Sequence, residues 1–180
     1  MKLIVKVPNP VLTTSAQAVT VFDKNVRALV DEMKKTLMGT NNPKGVGLAA
    51  PQIGQSWRVF ITRPTETSRI RVFINPEIIK RSEELTEGIP GRDNKLEGCL
   101  SIPKIWGKVK RAAKITLRYQ DEKDKIREEN FDGFFATIVQ HETDHINGIL
   151  YTQRVLEQKG KLYQAAKDKE GKEVLEEITI

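Results

Sequence analysis

Apolar residues recur along this chain at two spacings, and the spacing assigns the elements. Val26, Leu29, Val30, Met33 and Leu37 fall at the three- and four-residue steps of one helix face, with Asp23 placed to cap its start and Gly39 to end it. Thr40 to Lys44 has turn chemistry. Trp57 to Ile61 and Arg71 to Ile74 alternate polar with apolar or run short and apolar, which predicts two strands joined by a polar loop around Pro64. Asn75-Pro76 closes the second strand, and Ile78-Ile79 resumes extended structure. Lys108 to Tyr119 reads as two further strand segments, with Ile115, Leu117 and Tyr119 on one face. The charged stretches Arg81 to Lys95 and Asp121 to Glu129 read as a surface excursion and a connection. A second helix runs from Asp132-Gly133 to Asn147, with Gly148 as a left-handed terminator. Beyond Arg154, Leu156, Leu162, Tyr163, Ala166 and Val174 are spaced to dock a final helix.

Scattered strands ahead of one buried helix, without regular β-α alternation, make the fold class α+β. The 180 residues suit one domain, 1–180, in which 155–180 form a C-terminal helical tail. Hydrophobic content of 38% and charged content of 30% fit a globular protein, and no apolar run approaches the ~20 residues of a bilayer span. Lys6 and Pro8 interrupt the opening segment too early for the apolar region of a secretory signal, so the expected location is the cytoplasm, with no membrane partner. A net charge of +6 raises a nucleic-acid reading, and Lys104, Lys108, Lys110, Arg111, Lys114 and Arg118 occur between Ser101 and Gln120 with no acid among them. No aromatic stacking pattern accompanies them. They read as a solvated strand face, with no specific nucleic-acid partner and room only for a weak, transient electrostatic contact with the ribosome.

Chemistry is concentrated in three short motifs. The chain has two histidines, both in His141-Glu142-Thr143-Asp144-His145 on the second predicted helix. Residues four apart share a helix face, so the imidazoles can converge on one metal ion with Glu142 beside it. Asp144 is near enough to accept from the second ring nitrogen of His141, or else is a solvated carboxylate. The sole cysteine, Cys99, lies in Glu97-Gly98-Cys99-Leu100-Ser101-Ile102-Pro103. Taken alone, Cys99 is as readily a small buried hydrophobe as a thiolate ligand. The third motif is Gly45-Val46-Gly47-Leu48-Ala49-Ala50-Pro51-Gln52-Ile53-Gly54, whose small residues suit close approach of another backbone. Sulfur with two nitrogens accepts zinc, iron, cobalt or nickel, so ligand type does not choose the metal.

In order, spacing and nearly every letter, these motifs resemble those of peptide deformylases, and looser similarity runs from the N-terminal segment to about Tyr151. That resemblance implies antiparallel and mixed sheets around the helix of His141 and His145, in a bacterial cytoplasmic enzyme, taken as a monomer, that removes the formyl group from N-formyl-methionyl peptides. It implies Cys99, His141 and His145 as metal ligands, with Fe(II) the physiological ion and Zn, Ni or Co as substitutes. Metal-bound hydroxide would attack the formyl carbonyl with Glu142 as general base and acid, while the Gln52 amide and the Leu100 N–H receive the oxyanion. Val46, Phe134 and Ile138 become candidates for the methionine pocket, with Thr137 at its rim, and the Gly47 backbone a partner for substrate. Arg111 holds the family position that would pair with Glu97 and support the Cys99 loop. The segment Lys104-Ile105-Trp106-Gly107 is placed to shape access, Trp106 first, although a packed aromatic is the plainer reading. A general HExxH peptidase would instead need a downstream oxygen or imidazole ligand, and nothing marks one. A metal-stabilised RNA-binding module would have no need for the intact set of Gln52, Cys99, His141, Glu142 and His145.

Overall fold

A computed structural model describes residues 2–41, 43–91, 96–167 and 170–178. In helix α1 (Lys24–Met38), the Asp23 carboxylate accepts from the N–H groups of Asn25 and Val26, donors that have no partner inside the helix. Its buried stripe is Val30, Met33 and Leu37, as the spacing predicts. Gly39 ends it in a right-handed conformation, φ −82. Asn42 of the following turn lies outside the described residues.

The strands are β1 (Gly47–Ala49), β2 (Val59–Thr62), β3 (Arg71–Arg81), β4 (Leu85–Glu87), β5 (Glu97–Cys99), β6 (Ile102–Gly107), β7 (Lys110–Ala112), β8 (Lys114–Gln120) and β9 (Ile126–Asp132). Helices α2 (Gly133–Ile146) and α3 (Tyr151–Glu157) follow, then β10 (Leu162–Lys167) and β11 (Glu173–Glu177). One sheet has the order β1-β2-β3-β8-β9, a second β11-β10-β6-β5, and β4 pairs with β7. The fold class is α+β, as expected, and the pairs between named strands are all antiparallel. No helix among the described residues is long and apolar enough to cross a membrane.

Strand periodicity divides the core. From β1, β2 and β3, Ala49, Phe60 and Phe73 face α2, where they meet Ala136, Val139 and Ile146. Their neighbours Leu48, Val59, Ile61, Val72 and Ile74 face α1 and its Val30, Met33 and Leu37. Helix α2 is thereby clamped against the five-stranded sheet. A third cluster joins Cys99, Ile102 and Val109 to Tyr151, Val155 and Leu162, which fastens α3 to the second sheet.

Four expectations need correction. Strand β3 does not close at Asn75-Pro76: it bulges there, with a register shift between Ile74 and Glu77 and Asn75 at φ 49. The Asn75 side chain accepts from the Val19 N–H and donates to the Val19 carbonyl, which holds the irregular backbone in place. The excursion from Arg81 includes β4, which finds its partner in β7, while residues 92–95 lie outside the described set. The charged connection from Asp121 becomes β9 from Ile126 onward, paired with β8; only its Phe131 is fully buried, so the segment carries little apolar signal. The C-terminal helix exists as α3, but 155–180 are not a helical tail. Lys159 turns left-handed at φ 55, and the chain returns as the β10–β11 hairpin, filling the open edge of β6.

Helix α2 ends as predicted. Gly148 is left-handed at φ 71, and the Ile149 N–H bonds back to the Asp144 carbonyl. A Cβ at Gly148 would lie 2.8 Å from the carbonyl carbons of Thr13 and Thr14, in the N-terminal segment that ties to α2 through Ala16 N–H and the Ile146 carbonyl. Gly148→Ala is therefore expected to cost roughly 2 kcal/mol, from a left-handed alanine with a backbone clash, and to lower the thermal midpoint by about 4–8 °C. An unchanged midpoint in a melting experiment would show that this contact yields freely.

Candidate metal and catalytic site

Helix α2 presents His141 and His145 one turn apart, with ring centroids 5.0 Å apart. Strand β5 supplies the third donor by period-two alternation: Glu97 and Cys99 are buried and Gly98 is exposed. Sγ of Cys99 lies 3.1 Å from Nε2 of His145, and the donor atoms of Cys99, His141 and His145 all lie within 4.8 Å of one another. Ligands held at ~2.0–2.3 Å in a tetrahedral site stand about 3.5 Å apart, so this donor set is of the right size for a single ion. The sulfur also receives the Ser101 N–H and the Gln52 amide nitrogen, each at 3.4 Å.

The sulfur and the imidazoles stabilise each other's charged forms. Burial alone would push the Cys99 thiol up, yet His145 and His141 beside it hold it well below the ordinary cysteine range. Burial would likewise lower His141, but the sulfur and Glu97 hold it well above the ordinary imidazole range. The sulfur is thus poised as a thiolate.

Behind the donors lies a buried ion cluster. Arg111 of β7 donates to both oxygens of Glu97, at 2.6 and 2.9 Å, and to Asp144 at 3.0 Å. Glu97 also bonds Nδ1 of His141 at 2.9 Å. Burial would raise the Glu97 carboxyl, but the Arg111 guanidinium and the His141 contact bring it down to about 2. The acceptor that aims His141 is therefore Glu97, and Asp144 does not serve His141. Asp144 instead binds Arg111 and, at 2.8 Å, Arg154 of α3, because two guanidiniums offer its oxygens charge-assisted bonds.

Glu142, next to His141 on α2 and lining the same cavity, is 4% exposed. Burial pushes its carboxyl up to about 7, against the opposing pull of the two histidines. Among the described residues, its Oε2 and Nδ1 of His145 are buried without a hydrogen-bond partner. Gly47 lies against Glu142, where a Cβ would come 2.3 Å from Oε1. Only glycine leaves the carboxylate its place.

Gln52, 2% exposed, sits in a short 3-10 turn after β1. Its Oε1 accepts from the Ala49 N–H at 2.9 Å, which turns the amide nitrogen toward Cys99 and the Ser101 hydroxyl. Leu100 lies in the tight turn between β5 and β6, beside Cys99. Val46, Gly47, Leu100, Phe134, Thr137 and Ile138 all line one cavity of about 470 Å³ that ends on His141 and Glu142. The structure thus gathers every residue expected from the sequence, with the acceptor of His141 reassigned.

Three contributors carried no readable signal. Gln140 donates to the carbonyls of Ala112 and Ala136 and accepts from the Ala112 N–H, locking α2 to β7. Tyr151 stacks on His141 at 5.9 Å and donates to the Ile105 carbonyl. Arg154 holds Asp144. Their roles depend on partners distant in sequence. Of the basic run, Arg111 is buried, Arg118 pairs with Glu128 and Lys110 approaches Glu87, so the strip is less cationic than its letters suggest.

The sequence profile described as polypeptide deformylase matches residues 1–161. A peptide deformylase of Dehalococcoides mccartyi is 36% identical over 177 residues, which is 98% of this chain and 99% of that protein. One from Treponema pallidum is 39% identical over 150 residues, 83% of this chain and 85% of its own. The crystal structure of peptide deformylase from Thermotoga maritima aligns with a TM-score of 0.75 at 36% identity, covering 86% of this chain and 97% of that one. The Met-Ala-Ser-bound class I type b peptide deformylase from Acinetobacter baumannii gives 0.75 at 36% identity, over 86% of this chain and 98% of that one. On this profile match and these relatives, the chain belongs to the polypeptide deformylase family.

Proposed function

We propose that this chain hydrolyses the N-formyl group of formyl-methionyl peptides and releases formate. The observation that carries this reading is the convergence of Cys99, His141 and His145 beside a buried Glu142 whose Oε2 has no partner among the described residues. The peptide in the Acinetobacter relative, Met-Ala-Ser, has the form of such a product. Cys99, His141 and His145 would hold one divalent ion, Fe(II) in the cell with Zn, Ni or Co as substitutes. Bound there, such an ion supplies Lewis acidity toward the formyl oxygen and acidifies water toward a pKa of ~7.

The chain's own residues do the rest. Glu142 takes a proton from the attacking water at its carboxylate and returns it to the nitrogen of the departing amine, a two-way transfer suited to a group near 7. The Gln52 amide nitrogen and the Leu100 N–H donate to the oxygen that gains charge, at roughly 3 kcal/mol per preformed donor. Val46, Phe134 and Ile138 receive the methionine side chain, and the Gly47 backbone bonds the peptide. Glu97 fixes the tautomer and aim of His141, and Arg111 neutralises Glu97. Cys99 as third donor, in place of a downstream carboxylate, speaks against a general HExxH peptidase. The setting we infer is a bacterial cytosol, where a monomer meets chains leaving the ribosome through weak contacts of its exposed lysines.

Three outcomes test this. Glu142→Gln should keep its metal content but lose about 10²–10⁴-fold in kcat/KM for formate release from formyl-Met-Ala-Ser after anaerobic purification, with no release from the acetyl analogue. A near-normal rate would refute the role of Glu142. Gly47→Ala should fold with an unchanged thermal midpoint within about 3 °C yet lose about 10²-fold in kcat/KM, because the added methyl displaces the carboxylate. Glu97→Gln should weaken Zn²⁺ binding by roughly 10–100-fold in competitive chelator titration, and wild-type affinity would deny Glu97 its orienting part.

A further inference from the structure

The opening segment of the chain has no task in the proposed reaction, yet it is bonded to both segments that carry the oxyanion donors. Gln52 follows β1, in the five-stranded sheet, and Leu100 follows β5, in the four-stranded one. Among the described residues, no backbone hydrogen bond joins residues 45–54 directly to residues 97–103. The opening segment supplies the link. The Val5 N–H donates to the Gln52 carbonyl at 2.8 Å, and the Val7 N–H donates to the Ser101 carbonyl at 3.2 Å.

This segment is itself anchored on both sides of those bonds. The Lys2 N–H donates to Oγ1 of Thr36 at 3.1 Å, and Ile4 packs against the apolar cluster of α1. Downstream, Leu12 is fully buried and the Ala16 N–H donates to the Ile146 carbonyl. Gln52 is consequently gripped at both ends, its carbonyl by Val5 and its Oε1 by the Ala49 N–H, which fixes the direction of Nε2. That nitrogen lies 3.3 Å from the Ser101 Oγ, so the two bonds from Val5 and Val7 hold the two sides of one contact. Oxyanion donors act where they are preorganised, and a misplacement of ~1 Å can cost about 10²-fold in rate.

Resting on the deformylase reading, we propose that residues 4–7 are a strap that sets the spacing of the two oxyanion donors. Val5 and Val7 are its positioning residues, acting through Gln52 and the Leu100 turn. Their donors are backbone N–H groups, so residue identity gives the strap no signature. Among the described residues, the strap bonds to none of Cys99, His141 and His145 and does not line the cavity. Its loss is therefore felt at the developing charge, while metal and substrate binding stay as they are.

Val5→Pro deletes the N–H, and Val5→Ala keeps it. Val5→Pro should lower kcat for formate release from formyl-Met-Ala-Ser about tenfold, with KM and metal content unchanged, and Val5→Ala should stay within about twofold of wild type. The deciding measurement is a double-mutant cycle with Gln52→Ala, which by itself should cost about 10²–10³-fold. In that background Val5→Pro should cost less than about twofold, because the group it positions is gone. An equal loss in both backgrounds, the same loss in Val5→Ala, or a folded Val5→Pro protein with wild-type kcat overturns the strap and leaves the deformylase reading standing. If Val5→Pro does not fold, Ile4→Ala, which loosens the strap at a partly buried position, should show about a threefold loss with the same dependence on Gln52, and wild-type kcat there overturns the strap. A wild-type protein that releases no formate from the peptide overturns both.

Discussion

Arg111 is a buried guanidinium that must find anions, and it finds them on two different elements. Glu97 comes from β5 and Asp144 from α2, so one charge holds the cysteine-bearing strand to the histidine-bearing helix. Isolated burial of any of the three would be costly, and breaking such a cluster typically costs ~3–5 kcal/mol because it strands a charge. Satisfied together, they convert that cost into positional specificity. Glu97 passes the constraint on to Nδ1 of His141, and Arg154 extends it to α3 through Asp144. Three elements that share no local sequence are thereby put in register around Cys99, His141 and His145.

The remaining precision comes from packing rather than charge. Helix α2 is held from one side by Ala49, Phe60 and Phe73, and from another by the Gln140 amide on β7, so it has little freedom to rotate. Rotation would matter, since His141, Glu142 and His145 use neighbouring directions on the helix. The glycine-rich segment completes the enclosure. At Gly47 it touches Glu142 so closely that the acid's position and the backbone's course specify each other. At Gln52 a bond from the Ala49 N–H decides which end of the amide faces the sulfur. Charge sets which elements meet, and close contact sets their last fraction of an ångström.

On the opposite side of the cleft, the sheet of Cys99 is widened by a hairpin that the family profile does not reach. An open β6 edge would present unpaired backbone groups next to the site, and β10 covers them. Covering the edge also stiffens the bulge at Pro103 to Ile105. The same strand also lends Ala165 to the lining of the cavity.

The candidate site was legible in the letters because it depends on residue identity and short spacing: two imidazoles four apart share a helix face wherever that helix lies, and the sole cysteine stands inside a motif of its own. Helix α1 was legible for the same reason, with Asp23 and a stripe that only local geometry requires. Strand β9 was not, since a strand buried at Phe131 alone shows almost no apolar period. Nor was the hairpin: Leu162, Tyr163 and Ala166 fit helix or strand equally, and the open edge of β6 made the choice. The partner of His141 was likewise settled only in three dimensions. Asp144 is close in sequence, but two guanidiniums claim it, and Glu97 arrives from a strand 44 residues away. Sequence by itself determined which atoms can do chemistry here, because covalent identity and helical repeat are local. Tertiary structure decided which of them touch and what aims them, because buried charges and open strand edges are satisfied only by whatever the fold brings to them.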